Sequence, residues 1–196
     1  MIQSFYTTLL REIYGSKLAR QVEPCLKDLS ERYRMRIPLL PGTSLSERDA
    51  ILITYGDQVR EPTRAPLRSL ADFCETHLEG VVNGLHILPF FPWSSDDGFS
   101  VKEYRCVDPD LGNWQDVERL GHSFRLMVDG VINHVSVQGK WFQAFLHDKP
   151  PYNKYFLTVE GDPDLSRVVR PRALPLLTEF QTVQGKRRVW TTFSAD

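Results

Sequence analysis

Apolar residues recur every three to four positions near the start of the chain. This spacing predicts helix over residues 4–36, with a break at Gly15 where the pattern is interrupted. Pro24 predicts a kink or a restart in the second stretch, because proline removes a backbone hydrogen bond from a helix. The prolines and the glycine of residues 37–49 predict a linker.

After the linker, short apolar runs alternate with amphipathic stretches. The runs predict strands at residues 50–55, within 81–91 and at 125–132, and we expect the first to be buried on both faces. Helices are predicted between them at residues 64–78 and 113–124. This alternation predicts an α/β fold with a parallel sheet, in which ligands gather beyond the carboxyl ends of the strands.

The last part of the chain has a different pattern. Residues 140–147 predict one short helix. Residues 150–190 contain several prolines and many charged residues, and their apolar residues recur with little helical or strand periodicity. This predicts an irregular, loop-rich segment.

Composition narrows the possible partners and compartments. The 196 residues are 41% hydrophobic and 25% charged with a net charge of −1, so neither a nucleic acid nor an anionic membrane is an expected partner. We find no apolar run near the 18 residues that a membrane span requires, and no secretory signal. The three cysteines form no CxxC pair, which leaves the cytoplasm as the default compartment.

An acidic and aromatic segment follows the second predicted strand. It places Asp96 and Asp97 beside Gly98 and Phe99. Aromatic rings stack on the C–H faces of sugars and carboxylates accept hydrogen bonds from hydroxyl groups, so this mixture is typical of a sugar site. The alternative is an ordinary turn, which Asp-Gly sequences commonly form.

A second polar cluster ends the third predicted strand. Asp129, Asn133 and His134 lie close together in the sequence there. The imidazole would hydrogen-bond a sugar hydroxyl, and Asn133 would hold the loop. Alternatively, His134 is a structural histidine and Asp129 forms the turn at the strand end. The residues alone leave both interpretations open.

Several motifs occur together in the order found in one known family. They are ITYGDQ (53–58), GLHILPFFP (84–92), DDGF (96–99), LGNWQDVERL (111–120), VDGVINHVS (128–136) and RPRALP (170–175). Over residues 49–193 the chain therefore resembles the sucrose phosphorylase-like subfamily of the α-amylase (glycoside hydrolase 13) family. The N-terminal helical region and RPRALPLL are similar to the branch that includes glucosylglycerate phosphorylases.

The resemblance implies an incomplete TIM (β/α)8 barrel, made of its first three βα units, with an N-terminal helical extension and the start of a small B domain. Residues 1–48 would be the extension and linker, 49–139 the first part of the barrel, and 140–196 a B-domain-like insertion ending before strand four. A three-stranded piece would expose its edges, so we expect it to be poorly stable or self-associating alone.

The resemblance also implies roles for particular side chains. Asp96 would hold hydroxyls of a bound glucosyl unit, Phe99 would stack on it, and His134 would hydrogen-bond another hydroxyl. Arg172 would bind phosphate or acceptor from a mobile loop, with a solvated surface charge as the alternative; Arg170 is a weaker candidate. The phosphorylase branch is generally metal-free, so we expect no metal and no cofactor.

The implied reaction moves glucose from sucrose or a glucosylglycerate-like donor to inorganic phosphate, giving α-glucose 1-phosphate. It needs two carboxyls about 5 Å apart, which in the family follow strands four and five, beyond the last residue here. The expectation is an N-terminal fragment of a retaining α-glucoside phosphorylase that has no catalytic residue of its own and is inactive alone. The alternatives are a non-catalytic carbohydrate-binding module and a fragment of an amylase-type glycoside hydrolase.

Overall fold

The computed structural model describes residues 2–34, 36, 45–169 and 175–191, with the backbone alone at residues 2–5. The chain divides into two compact units, Met1–Ser46 and Glu47–Asp196. Among the described residues, no helix has both the length and the apolarity needed to cross a membrane.

The described part of the first unit contains α1 (Ile2–Arg34), which is interrupted once. Gly15 has φ 71° and ψ 162°, so the predicted break at this residue is confirmed. Thr7 donates a hydrogen bond to Glu23 at 2.5 Å, which joins the two sides of the break. Helical backbone continues through Pro24, so the restart considered there does not occur.

The second unit begins with a parallel sheet of three four-residue strands, β1 (Ile51–Thr54), β2 (Gly84–Ile87) and β3 (Arg125–Val128), in the order β1-β2-β3. Helix α2 (Pro66–His77) connects the first two strands and α3 (Trp114–Ser123) the last two. The predicted alternation of strands and helices is confirmed.

Local sequence explains where α3 begins. Asn113 accepts a hydrogen bond from the amide of Gln115, and Asp116 accepts one from the amide of Asn113, both at 2.9 Å. This reciprocal capping satisfies amides that have no partner inside the helix. Asp116 also accepts a bond from Arg68 Nε of α2 at 2.7 Å, so the same carboxylate caps one helix and binds the other.

A second ionic contact joins the same two helices. Arg119 of α3 lies 2.6 Å from Asp72 and 2.5 Å from Glu75, which both belong to α2. The hydrogen bond from Arg119 holds the pKa of Asp72 below its ordinary value, and Arg64 adds to the effect. All of these charges are partly exposed, so their main effect is to orient the helices rather than to add much stability.

The core lies between the sheet and the two helices. Its buried residues are Leu67, Leu70, Ala71, Cys74, Leu85, Ile87, Phe90, Val107, Val117, Leu120 and Phe124. Successive strand residues point to opposite faces, and the helices cover only one face. Ile51 and Ile53, on the other face of β1, are 45% and 61% exposed. The expectation that this strand is buried on both faces is therefore wrong.

The rest of the second unit contains α4 (Lys140–Leu146) and an antiparallel sheet. The strands β4 (Thr158–Val159), β5 (Leu177–Thr182) and β6 (Gly185–Trp190) lie in the order β4-β6-β5. The short helix over residues 140–147 is thus confirmed, whereas the loop-rich description of residues 150–190 misses a regular hairpin.

A small apolar cluster holds this sheet against α4. Phe142 and Phe145 of the helix are buried with Val189 of β6, and Phe180 of β5 packs against them. The rings of Phe142 and Phe180 meet edge to face with centroids 4.9 Å apart. Alternate residues of the hairpin thus point inward, although charged residues separate them in the sequence.

Candidate functional site

A cleft of about 560 Å³ lies where the loops after β2 and β3 meet the segment that carries α4 and β6. Asp96, Phe99 and His134 line it, together with Trp141 and Tyr155. Of the side chains singled out in the sequence, Asp96, Phe99, Asn133 and His134 are thus brought together. They meet because the carboxyl ends of neighbouring parallel strands share one edge of the sheet.

The loop after β2 has an unusual backbone conformation. Asp96, Asp97 and Gly98 have φ of 59°, 50° and 99°, so three consecutive residues are in the left-handed region. A Cβ on Gly98 would lie 2.8 Å from the carbonyl oxygen of Pro89, so only glycine fits there. The Asp-Gly pair does form a turn, and this turn brings Asp96 and Phe99 to the cleft. Strain of this kind often accompanies binding sites.

His134 is attached to the same turn. Its Nε2 lies 3.1 Å from the carbonyl oxygen of Phe99. A carbonyl oxygen only accepts hydrogen bonds, so Nε2 carries the proton in this contact. In a neutral ring this contact requires the Nε2-protonated tautomer, and it holds the imidazole beside Phe99, which also lines the cleft.

Three serine hydroxyls also join the two loops, and we call Ser94, Ser100 and Ser136 the hydroxyl clamp. The Oγ of Ser94 lies 2.7 Å from Oγ of Ser136 and 3.2 Å from Oγ of Ser100. The amide of Ser136 donates to the carbonyl of Val101 at 3.0 Å, and its Oγ accepts from the amide of Gln138 at 3.0 Å. Buried hydroxyls need such partners, so the clamp fixes the relative positions of the loops.

Other sequence candidates have different surroundings. Asp129 lies outside the cleft lining and its Oδ2 is 2.9 Å from Nε2 of His86 on β2. Asp57 pairs with Arg60 and also lies outside the lining. Side chains that follow β2 and β3 thus converge on the cleft, whereas Asp57, which follows β1, does not line it.

The remaining candidates concern anions and metals. Arg172, the predicted phosphate ligand, and Arg170 both lie outside the described residues. Within the described part of the chain, no group of three or more His, Cys, Asp or Glu side chains is arranged to hold a metal ion.

Comparison with known proteins identifies the family. The family described as Alpha amylase, catalytic domain, matches residues 79–186, which is more than half of the chain. The chain belongs to the alpha-amylase catalytic domain family. A partial TIM barrel, an α/β fold with a parallel sheet, follows from this membership and from the similarity to solved structures.

Several relatives of this chain are phosphorylases. A glucosylglycerate phosphorylase from Spirochaeta thermophila is 49% identical over 96% of this chain and 33% of its own length. A sucrose phosphorylase from Bifidobacterium adolescentis is 35% identical over 73% of this chain and 30% of its own length. The chain therefore spans about a third of the length of these relatives.

A solved structure agrees with this assignment. The crystal structure of sucrose 6F-phosphate phosphorylase from Thermoanaerobacter thermosaccharolyticum superposes with a TM-score of 0.69 and 31% identity. The match covers 79% of this chain and 33% of the other. The resemblance to sucrose phosphorylase-like proteins, based on the sequence motifs, is thus confirmed.

Sequence reasoning missed part of the cleft of this alpha-amylase domain. Tyr104, Trp141, Tyr155 and Trp190 also line it, and none was singled out. The rings of Tyr104 and Trp141 stack with centroids 5.1 Å apart. The density of aromatic residues in KWFQAFL (140–146) and PPYNKYF (150–156) was the available signal. Aromatic residues fill cores as well as sites, so that signal did not specify the cleft.

Proposed function

We propose that this chain forms the glucosyl-binding part of a retaining α-glucoside phosphorylase, which transfers glucose from a glucoside to phosphate and yields α-glucose 1-phosphate. The observation that carries the proposal is the convergence of Asp96, Phe99 and His134 on one cleft. The names of the relatives add support, since they are phosphorylases of glucosylglycerate, sucrose and sucrose 6F-phosphate. A glucoside and inorganic phosphate are therefore the proposed ligands.

Each of the three side chains has a proposed task. Asp96 accepts hydrogen bonds from hydroxyls of the glucosyl unit, and His134 hydrogen-bonds another hydroxyl. The ring of Phe99 packs against the C–H face of the sugar. One aromatic surface with a few convergent polar groups is the usual composition of a small-molecule site. Arg172 is proposed to bind the phosphate, for which a guanidinium offers a fitting pair of donors.

The proposal extends to the architecture. We assign β1, β2 and β3 with their helices to the first three βα units of a (β/α)8 barrel. Residues 1–48 would be a helical extension with a linker, 49–139 the barrel portion, and 140–196 the start of a B domain. A cleft at the carboxyl ends of parallel strands supports this assignment, because that is where barrel enzymes bind their substrates.

Among the possible donors, we favour a glucosylglycerate-like glucoside over sucrose. The match to the glucosylglycerate phosphorylase covers 96% of the chain and must include most of the first unit. The match to the sucrose phosphorylase covers only 73%. The identity over the longer match is also higher, 49% against 35%.

The proposed reaction defines what this chain supplies and what it lacks. Retaining transfer requires a carboxylate nucleophile and a carboxylic acid about 5 Å apart. Asp96 is assigned to hydroxyl binding, so no residue of this chain is assigned to either catalytic role, and turnover by the 196-residue chain is not expected. Neither a metal nor a cofactor has a role in this chemistry.

The three free cysteines favour a reducing compartment, and we propose the cytoplasm.

A chimaeric enzyme tests the proposal. This chain replaces the matched segment of the Spirochaeta thermophila glucosylglycerate phosphorylase, to which it is 49% identical over 194 residues. We expect phosphate-dependent release of α-glucose 1-phosphate from glucosylglycerate by the chimaera and none by the 196-residue chain. Asp96→Asn should lower kcat/KM by at least about tenfold, since it removes a charged hydrogen-bond acceptor. The control is Asp110→Asn, at an exposed carboxylate outside the cleft lining.

The outcomes separate the competing functions. Phosphate-independent release of free glucose would assign the chain to a hydrolase. A folded but inactive chimaera, together with glucoside binding by the 196-residue chain, would favour a carbohydrate-binding module. Turnover by the 196-residue chain alone would contradict the assignment of the catalytic carboxyls to other segments.

A further inference from the structure

Tyr104 contacts the backbone of the loop that carries His134. Its hydroxyl donates to the carbonyl of Val131 at 2.7 Å and lies 3.2 Å from the carbonyl of His134. A phenol has one hydroxyl proton, so the two carbonyls share it, and the shorter hydrogen bond, to Val131, is the stronger one. Because these carbonyls belong to the two ends of residues 131–134, the hydroxyl fixes the span of this segment.

The ring of Tyr104 is itself held on two sides. It stacks on Trp141 of α4, with centroids 5.1 Å apart and planes 20° apart. Phe91, which packs against the main core, lies 5.8 Å away. Burial raises the pKa of the Tyr104 hydroxyl above its ordinary value, so the group stays a proton donor throughout the neutral range. Its position is therefore set by the core and by α4 rather than by the loop.

The imidazole of His134 is consequently fixed from two directions. Its Nε2 is bound to the carbonyl of Phe99 at 3.1 Å, and its own backbone carbonyl lies beside the hydroxyl of Tyr104. Without that hydroxyl, the segment between Val131 and His134 would keep its covalent connections but lose the contact that sets its span. The ring would then sample positions in which the bond to Phe99 is longer or absent.

We propose that Tyr104 is a positioning residue for sugar recognition, and that its hydroxyl acts by holding His134 where it meets a glucosyl hydroxyl. The inference rests on the proposed function, because it needs His134 to be a sugar ligand. It differs from a direct contact between Tyr104 and the sugar, since the effect of Tyr104 passes through His134. From the loop after β2, Tyr104 contacts both the loop after β3 and α4.

The test compares Tyr104→Phe, His134→Ala and the double variant in the 196-residue chain, with circular dichroism to establish that each folds. Long-range ¹H–¹⁵N spectra report the tautomer of His134, and titration with methyl α-D-glucopyranoside reports affinity. The wild type should show the Nε2-protonated tautomer, and Tyr104→Phe a mixture. Affinity in Tyr104→Phe should fall on the order of fivefold, the effect of one hydrogen bond. The double variant should bind no more weakly than His134→Ala, because the two residues act as one unit.

The control is Tyr152→Phe, which removes a hydroxyl from a ring that also stacks on Trp141 but lies outside the cleft lining. It should leave both readouts unchanged. Unchanged tautomer and affinity in Tyr104→Phe would overturn the proposal, and so would an equal loss of affinity with and without His134. If the wild type binds no glucoside while Tyr104→Phe still alters the tautomer, the proposed function is wrong, whereas the positioning of His134 by Tyr104 is supported.

Discussion

Ser136→Ala removes one of the three hydroxyls of the hydroxyl clamp and is expected to destabilise the second unit. The side chain is fully buried, with 0% exposed. Its Oγ lies 2.7 Å from Oγ of Ser94 and accepts a bond from the amide of Gln138 at 3.0 Å. Alanine occupies almost the same volume, so packing changes little and the effect comes from two lost hydrogen bonds.

The surroundings of the two former partners decide the magnitude. Gln138 is exposed, so its amide can regain a bond to water. Ser94 keeps the Oγ of Ser100 at 3.2 Å. Neither partner is left fully unsatisfied, so each lost bond should cost about 0.5–1 kcal/mol, the lower part of the usual range. The free energy of unfolding should fall by ~1–2 kcal/mol, which lowers the unfolding midpoint by roughly 2–8 °C in a chain of this size.

Urea unfolding followed by tryptophan fluorescence measures this loss. In a double-mutant cycle with Ser94→Ala, the double variant should be less destabilised than the sum of the single variants by about 0.5–1 kcal/mol. Ser123→Ala, at an exposed serine that ends α3, is the control and should change the free energy by less than about 0.5 kcal/mol. Strictly additive single effects, or a Ser136→Ala variant as stable as the wild type, would refute the clamp.

Three further predictions follow from single contacts. Gly98→Ala places an alanine in the left-handed region and against the carbonyl oxygen of Pro89, so the free energy of unfolding should fall by about 2–4 kcal/mol and glucoside affinity should be lost. The control is Gly121→Ala in α3, where a Cβ fits and affinity should be unchanged. A Gly98→Ala variant tolerated as well as the control would contradict the loop geometry. Cys74 is fully buried, and burial raises the pKa of its thiol. The exposed Cys25 and Cys106 should therefore react quickly with a thiol reagent, and Cys74 only on unfolding. Rapid reaction of all three cysteines would count against this core. Because Arg119 lowers the pKa of Asp72, the stabilisation from this pair is present above the unfolded pKa of about 3.9 and is lost as pH falls through the lower folded pKa. In acid unfolding titrations, Asp72→Asn should therefore lose less stability below about pH 4 than the wild type does. Identical curves for the two proteins would refute the coupling.

The order of strands and helices in the second unit could be predicted because local signals agreed with the tertiary structure. Asn113 and Asp116 mark the start of α3 in the sequence, and they cap it in the structure. The convergence of Asp96 and His134 was predictable for a different reason. In a parallel sheet all strands end at the same edge, so polar residues after neighbouring strands meet without any signal for the contact itself.

The hairpin of β5 and β6 could not be predicted with the same rules. Its two-residue turn is Val183-Gln184, which lacks the Asn-Gly or Asp-Gly pair that usually identifies such turns. Gly185, with φ of 106°, takes the position that requires a left-handed residue, but it comes after the turn. Thr182 supports the turn by donating to the carbonyl of Gly185 at 2.7 Å, a contact that depends on the folded geometry.

Side-chain partners were the least predictable part of the site. His86 lies within an apolar strand and pairs with Asp129 at 2.9 Å, although 43 residues separate them in the chain. Tyr104 reaches the carbonyl of Val131 across 27 residues. No periodicity indicates such pairs, because each joins two segments that only the tertiary fold brings together.

Several contacts beside the cleft join the loop after β2 to the loop after β3. They include the bond from His134 to the carbonyl of Phe99 and the bond between Ser94 and Ser136. Loops that are already held in place lose less entropy on binding, so the glucoside affinity should depend mainly on these residues. A contact to a sugar hydroxyl that is equally strong in the bound substrate and in the transition state lowers KM but does not raise kcat. In the proposed enzyme, kcat depends instead on the carboxyl pair. Affinity and turnover should therefore separate, and the 196-residue chain should bind a glucoside without converting it.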